Sequence, residues 1–139
     1  MKIPTPNRKT VIKLYQAIND GINQGCKWDL ALISKICNRD VCFDELDGID
    51  EDTISESFVE RLSFGRPPKY EKFDKASFVS LLSDVYNNKF SQAQHDWIIE
   101  MIEIMYGLPS GYIMDKIYQE DAPVDEIWDN VQLFRPILL

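Results

Sequence analysis

Residues 91–107 read Ser-Gln-Ala-Gln-His-Asp-Trp-Ile-Ile-Glu-Met-Ile-Glu-Ile-Met-Tyr-Gly. Ser91 and Gln94 have the capping-box spacing, in which each side chain accepts a hydrogen bond from a free backbone N–H group of the first turn. The apolar side chains behind this box recur every three or four residues: Trp97, Ile98, Met101, Ile102, Met105 and Tyr106. Gly107 is a residue type that commonly follows a helix end. The spacing predicts a central helix with Trp97 in the core.

Helical spacing extends from this stretch toward the amino terminus. Thr5-Pro6 reads as an N-cap followed by proline at the first helical position, and an apolar stripe runs from Val11 to Ile22. A second stripe runs from Leu30 to Cys37. Thr53-Ile54-Ser55-Glu56 repeats the capping-box spacing and predicts a third helix, which Gly65 ends.

Three more helices are predicted around the central one. Asp74 is the predicted N-cap of the helix before it, Ser110 starts a short helix after it, and Asp121 with Pro123 starts a last helix that Pro136 ends. The prolines of Arg66-Pro67-Pro68-Lys69-Tyr70 disfavour a helix there. We expect that segment to be an exposed connector.

One segment departs from helical spacing. Val41-Cys42-Phe43 predicts a short strand, but one strand cannot form a sheet. The length of 139 residues suits a single domain, and 45% hydrophobic residues are enough to form a core. We therefore predict an all-α fold, a compact single-domain bundle of about seven short helices covering residues 1–139.

Charge is distributed unevenly along the chain. The formal net charge is -8, whereas a nucleic-acid-binding protein is expected to carry an excess of positive charge. Residues 1–40 hold seven bases and three acids, whereas residues 41–139 hold eight bases and twenty acids. Eight carboxylates and no base lie between Asp44 and Glu60. A second acidic cluster also lacks a base: Glu120, Asp121, Asp125, Glu126 and Asp129. Either a solubilising surface or a patch for a basic protein explains this density.

Motifs for catalysis are missing from the sequence. It contains no P-loop, no G-x-G-x-x-G and no G-x-S-x-G, so the glycines of nucleotide cradles and hydrolase elbows are lacking. His95 is the sole histidine, and its place in a helix's first turn predicts an ordinary surface or half-buried residue. Asp96, Glu100 and Glu103 lie on one helix face without an E-x-x-H motif, which predicts a solvated polar face. We expect no enzyme.

The sequence contains no complete zinc-binding or calcium-binding pattern. The three cysteines with His95 match no zinc spacing: Cys26, Cys37 and Cys42. A calcium loop needs glycine at position six and glutamate at twelve, but placing Gly48 at six puts Phe43 at one and Ile54 at twelve. We expect no metal and no cofactor. The odd cysteine count and the lack of a long apolar run predict reduced thiols in a cytoplasmic protein.

The combination of small size, acidity, aromatic residues and missing catalytic motifs resembles bacterial immunity proteins of the contact-dependent growth inhibition and colicin types. The resemblance implies tight binding of a basic toxin domain, such as a nuclease, which blocks its active site or its access to substrate. It implies no direct contact with nucleic acid or membrane, and we expect a monomer.

The partner-binding residues predicted first are the carboxylates Asp44, Glu45, Asp47, Asp50, Glu51, Asp52 and Glu56. Glu120, Asp121 and Asp125 with Trp128 are second, and Tyr70 in the connector is third. Two other functions stay open at this point. One is a phage or plasmid inhibitor whose carboxylates mimic nucleic acid, and the other is a helix-turn-helix regulator that uses the basic amino-terminal helices.

Overall fold

The computed structural model describes residues 1–134, and within this range the regular structure is helical, without a strand. The α-helices are α1 (Arg8–Asn23), α2 (Leu30–Cys37), α3 (Glu56–Phe64), α4 (Lys75–Tyr86), α5 (Gln92–Tyr106), α6 (Tyr112–Met114) and α7 (Val124–Leu133). A 3₁₀ turn covers Phe43–Glu45, and a π-helical turn covers Asp115–Gln119. The predicted all-α class and the predicted number of helices are confirmed.

The described chain divides into two compact units. The amino-terminal unit is Lys2–Arg66, and the carboxyl-terminal unit begins at Pro67. The division falls inside the predicted connector, where the two prolines interrupt the helical pattern. That residues 1–139 act as one domain stays a prediction.

The amino-terminal unit is built from α1, α2 and α3, which contact one another. Its core consists of the buried side chains of Val11, Leu14, Ile18, Ile33, Val41, Leu46, Val59 and Leu62. Trp28 packs so closely against α1 that a Cβ atom at Gly21 would overlap its ring, and its Nε1 donates to the Ile18 carbonyl at 3.0 Å. Glycine at position 21 therefore lets the indole lie against the helix backbone.

The carboxyl-terminal unit contains α4 to α7, with α4 against α7 and α5 against α6. The predicted capping box of α5 is present, because Ser91 Oγ accepts from the Gln94 N–H group at 3.3 Å while Gln94 Oε1 accepts from the Ser91 N–H group at 3.1 Å. Nine residues of α5 are buried, and Trp97 is only 3% exposed. The placement of Trp97 in the core is confirmed.

Several predicted helix starts are wrong by one or two residues. Asn7 caps α1 instead of Thr5, since its side chain accepts from the Thr10 N–H group. Ser55 caps α3 instead of Thr53, because the Thr53 side chain and N–H group bind Asp50. The two last helices begin after Gly111 and Pro123 and not at Ser110 and Asp121. The predicted N-cap Asp74 is confirmed: its carboxylate accepts from the Ser77 N–H group at 2.8 Å.

The predicted strand at Val41-Cys42-Phe43 is also wrong. Glu45 accepts from the Cys42 N–H group at 3.0 Å, which favours a 3₁₀ turn at this point. The predicted connector is not helical, but Pro67 within it is buried rather than exposed. Pro136, the predicted end of the last helix, lies outside the described residues.

Candidate partner-binding surface

Residues 43–56, which lead into the first residue of α3, form what we call the acidic loop of the amino-terminal unit, and Arg39 fixes its beginning. Its Nη1 atom lies 2.8 Å from Glu45 Oε1, and its Nη2 atom donates to the Leu62 carbonyl at the end of α3 at 2.6 Å. The guanidinium packs against Gly65, where a Cβ atom would approach Arg39 Nε to 3.0 Å. One half-buried cation therefore ties the loop to the end of a helix, as the planar fork of arginine allows.

Glu45 is a predicted partner-binding residue that already has partners within its own unit. Partial burial alone would raise its pKa, but the Cys42 N–H group and the Arg39 guanidinium stabilise the carboxylate, so that the pKa of Glu45 is lowered. Its role in the structure is to hold the 3₁₀ turn and Arg39 together.

Asp50 likewise organises the loop. Its carboxylate accepts from the Asp52 and Thr53 N–H groups, each at 2.9 Å, and from the Thr53 hydroxyl at 3.1 Å. The Thr53 hydroxyl bond, followed by the two backbone bonds, lowers the pKa of Asp50. An Asx turn of this kind fixes the loop locally without help from a helix.

The remaining predicted carboxylates of this loop point into solvent. Five are exposed: Asp44, Asp47, Glu51, Asp52 and Glu56. Within residues 1–134 none of these five forms an ion pair. We call these five carboxylates, together with Phe43 beside them, the acidic surface. That these carboxylates form one partner-binding site stays a prediction.

Phe43 is the apolar member of this surface, and sequence reasoning missed it. Phe43 is 49% exposed, and its ring packs against that of Trp28 in a tilted arrangement, with centroids 5.8 Å apart and planes at 57°. A large ring that packs against its own protein on one side and is exposed on the other can bury apolar area against a partner. It loses little side-chain entropy when it does so. Its position directly before the acidic run is the signal that could have identified it.

A groove of about 320 Å³ between α1 and α3 continues the acidic surface. Ile12 and Tyr15 line it from α1, and Glu56 and Glu60 line it from α3. Arg8 of α1 also lines the groove, so apolar side chains stand beside charges of both signs, and Glu56 belongs to the acidic surface as well. This arrangement offers charged and apolar contacts side by side.

The second predicted cluster has a different environment. Glu120 forms an ion pair with Lys116 at 3.2 Å, and Asp125 lies 3.7 Å from Lys75. Asp121 adopts a left-handed backbone conformation with φ of 48°. Trp128 is half-buried, with its ring 5.2 Å from that of Phe78. Nearby lysines thus partly neutralise this cluster, and its partner-binding role stays a prediction.

Tyr70, the third predicted contact, is half-buried in the carboxyl-terminal unit. The acidic surface belongs to the amino-terminal unit. A role for Tyr70 in partner binding also stays a prediction.

Two titratable residues of α5 are more buried than expected. His95 is not at the surface: its Nε2 atom lies 2.9 Å from the Tyr118 hydroxyl, and its Nδ1 atom lies 3.5 Å from an Asp96 carboxylate oxygen. Glu103 is 7% exposed, and its Oε2 atom accepts from the Ile113 N–H group at 3.1 Å. The expected solvated face is therefore wrong for Glu103.

Burial is the main cause of the raised pKa of Glu103, which the backbone N–H groups around α6 only partly offset. The carboxyl group thus serves as a cap for the chain at Gly111 to Ile113. This buried cap and the His95–Tyr118 contact join α5 to the segment that follows it.

Within residues 1–134, no group of three His, Cys, Asp or Glu side chains is placed to hold a metal ion. No helix in the same range is long and apolar enough to cross a membrane. Comparisons with protein-family models, curated proteins and solved structures gave no match to this chain.

Proposed function

We propose that this protein is an immunity-type inhibitor that binds a basic protein, such as a nuclease toxin domain, through the acidic surface. One combined observation carries the proposal. Five exposed carboxylates form no ion pair within residues 1–134, and the exposed ring of Phe43 beside them packs against Trp28. Carboxylates attract a basic partner over distance, while an exposed aromatic ring provides a buried anchor after contact.

The internal hydrogen bonds of the loop support this function. The carboxylates of Asp50 and Glu45 accept hydrogen bonds from backbone N–H groups of the loop itself, and Arg39 holds the loop to α3. These bonds hold the backbone that carries Asp44, Asp47 and Glu51 in place before a partner arrives, at a cost in repulsion between neighbouring carboxylates. Because less order has to be gained on binding, such a surface supports tight association.

The experiment begins with affinity capture from cells that naturally make the protein, with the full chain as bait. The test bait carries Asp47→Lys and Glu51→Lys. The control bait carries Glu71→Lys and Asp115→Lys, two exposed carboxylates outside the acidic surface, and so has the same net charge. We expect a basic protein that the wild-type and control baits retain and the test bait does not.

The captured protein is then purified and assayed for nuclease activity with increasing amounts of the chain. We expect inhibition that is complete near an equimolar ratio and that requires Asp47 and Glu51. Equal retention by the two variants contradicts the proposed surface. A captured nuclease that stays fully active, or a captured protein with no toxic activity, contradicts the immunity function.

A further inference from the structure

A second groove in the amino-terminal unit has the opposite charge. It lies between α1 and α2, and its volume is about 540 Å³. Lys9 and Lys13 of α1 and Lys35 of α2 line it, and all three are exposed. None of them forms an ion pair in the part of the chain that the structure describes. With Asp20 also in the lining, the groove is positive overall within a chain of net charge -8.

The groove also has an apolar strip. Ala17, Leu32 and Ile36 line it, and Leu32 is 46% exposed. Although α3 contacts both α1 and α2, it contributes no lining residue. Covering the exposed part of Leu32 with a partner would remove further apolar surface from water.

The shape of the groove suits a helix. Its lining residues on α1 run from Lys9 to Asp20, which corresponds to about 16 Å, or three helical turns, at a rise of ~1.5 Å per residue. The groove between two neighbouring helices is where the ridge of a third helix packs. An apolar stripe on such a helix would face Leu32 while its flanking side chains reach the lysines.

We propose that this groove is a docking site for an acidic amphipathic α-helix of a partner protein. Carboxylates beside an apolar stripe complement the lysines that α1 and α2 each contribute to the groove, as in helix-in-groove recognition. The lining contains no aromatic ring on which a nucleic-acid base would stack. The basic partner proposed for the acidic surface would be repelled here, so this inference does not depend on that function.

The test uses the full-length protein and a designed peptide of about five helical turns, with leucines on one face and glutamates elsewhere. A second peptide carries lysine in place of each glutamate. Amide chemical shifts of the ¹⁵N-labelled protein are followed during titration with each peptide. We expect saturable shifts around Leu32 and Lys13 with the glutamate peptide and none there with the lysine peptide.

Two matched variants decide whether the groove is responsible. Charge reversal at Lys9, Lys13 and Lys35 to glutamate should weaken binding of the glutamate peptide by about tenfold or more. The control variant reverses three exposed lysines outside the groove and has the same net charge: Lys2, Lys27 and Lys69. We expect its affinity to stay within about twofold of the wild-type value.

A third variant, Leu32→Ser, separates specific docking from simple charge attraction. Because Leu32 is exposed, the melting temperature should not change, while affinity for the glutamate peptide should fall. Equal weakening by both lysine variants, no effect of Leu32→Ser, or no shifts in the groove overturns the proposal. So does a single-stranded oligothymidylate that displaces the peptide and shifts the same residues, because the groove would then be a nucleic-acid site.

Discussion

Glu103 is a single residue whose burial links proton binding to stability. Because its pKa is raised, the folded state holds the proton more tightly than the unfolded chain does. This contribution to the free energy of unfolding is fully present below the ordinary glutamate pKa of 4.5 and is lost as the pH rises through the raised value. Glu103→Gln keeps an acceptor for the Ile113 N–H group but does not titrate. The unfolding free energy of the wild type, relative to that of Glu103→Gln, should therefore fall as the pH rises across this interval.

Urea denaturation at a series of pH values from 4 to 8 measures this difference. The other carboxylates are common to both proteins, so their titration cancels in the comparison. Parallel stability curves for the two proteins would mean that Glu103 is not buried as the structure shows.

Trp97 tests the core of the carboxyl-terminal unit at the same scale. It is 3% exposed, and replacing it with alanine removes a large buried ring from α5. We expect Trp97→Ala to lower the free energy of unfolding by about 3–5 kcal/mol. Leu133→Ala is the control, because that side chain is 77% exposed and its loss should change stability by less than about 0.5 kcal/mol. Similar values for the two variants would contradict the assignment of Trp97 to the core.

At the scale of the element, the N-cap of α1 is Asn7 in the structure, whereas the sequence pattern predicts Thr5. The Asn7 side chain accepts from the Thr10 N–H group at 3.2 Å, whereas Thr5 lies two residues before the cap. Asn7→Ala should therefore cost about 1 kcal/mol of unfolding free energy, and Thr5→Ala should cost close to nothing. Thermal unfolding of the two variants beside the wild type measures this. A larger loss for Thr5→Ala would restore the start that the Thr5-Pro6 pattern predicts.

Elements with uncontested caps were predictable from the sequence, and those with competing side chains were not. The Ser91–Gln94 box and the Asp74 cap each have a single local solution, so sequence spacing alone located them. The prediction of Thr53 as the N-cap of α3 is wrong because the hydroxyl and the N–H group of Thr53 both donate to the carboxylate of Asp50, three residues earlier. Local spacing cannot decide between two such partners.

The other features that the sequence does not predict depend on contacts between residues far apart in the chain. Arg39 is joined to the Leu62 carbonyl across 23 residues, and Trp28 supports Phe43 across a helix and a turn. Neither contact has a sequence signature. The sequence therefore predicted all five carboxylates of the acidic surface, but not the ring of Phe43 beside them or the arginine that holds their loop.

At the scale of the whole molecule, charge separation is the dominant feature. The first 40 residues carry net +4 and the rest of the chain carries net -12, from the counts of bases and acids. Within the amino-terminal unit this separation becomes two surfaces, a lysine-lined groove between α1 and α2 and the acidic surface beside α3. For the proposed function we expect long-range steering by the acidic surface, which affects association rates more than dissociation rates and weakens as salt screens it.

The most direct test of the acidic surface is the association rate constant with the captured basic protein, measured by stopped flow at low and at physiological salt. The proteins compared are the wild type, the Asp47→Lys, Glu51→Lys variant and the Glu71→Lys, Asp115→Lys control. We expect the wild-type rate to fall steeply with salt, the control to follow it, and the acidic-surface variant to associate at least about tenfold more slowly at low salt with little salt dependence. Equal rates for the two variants, or a wild-type rate that does not respond to salt, would contradict binding through this surface.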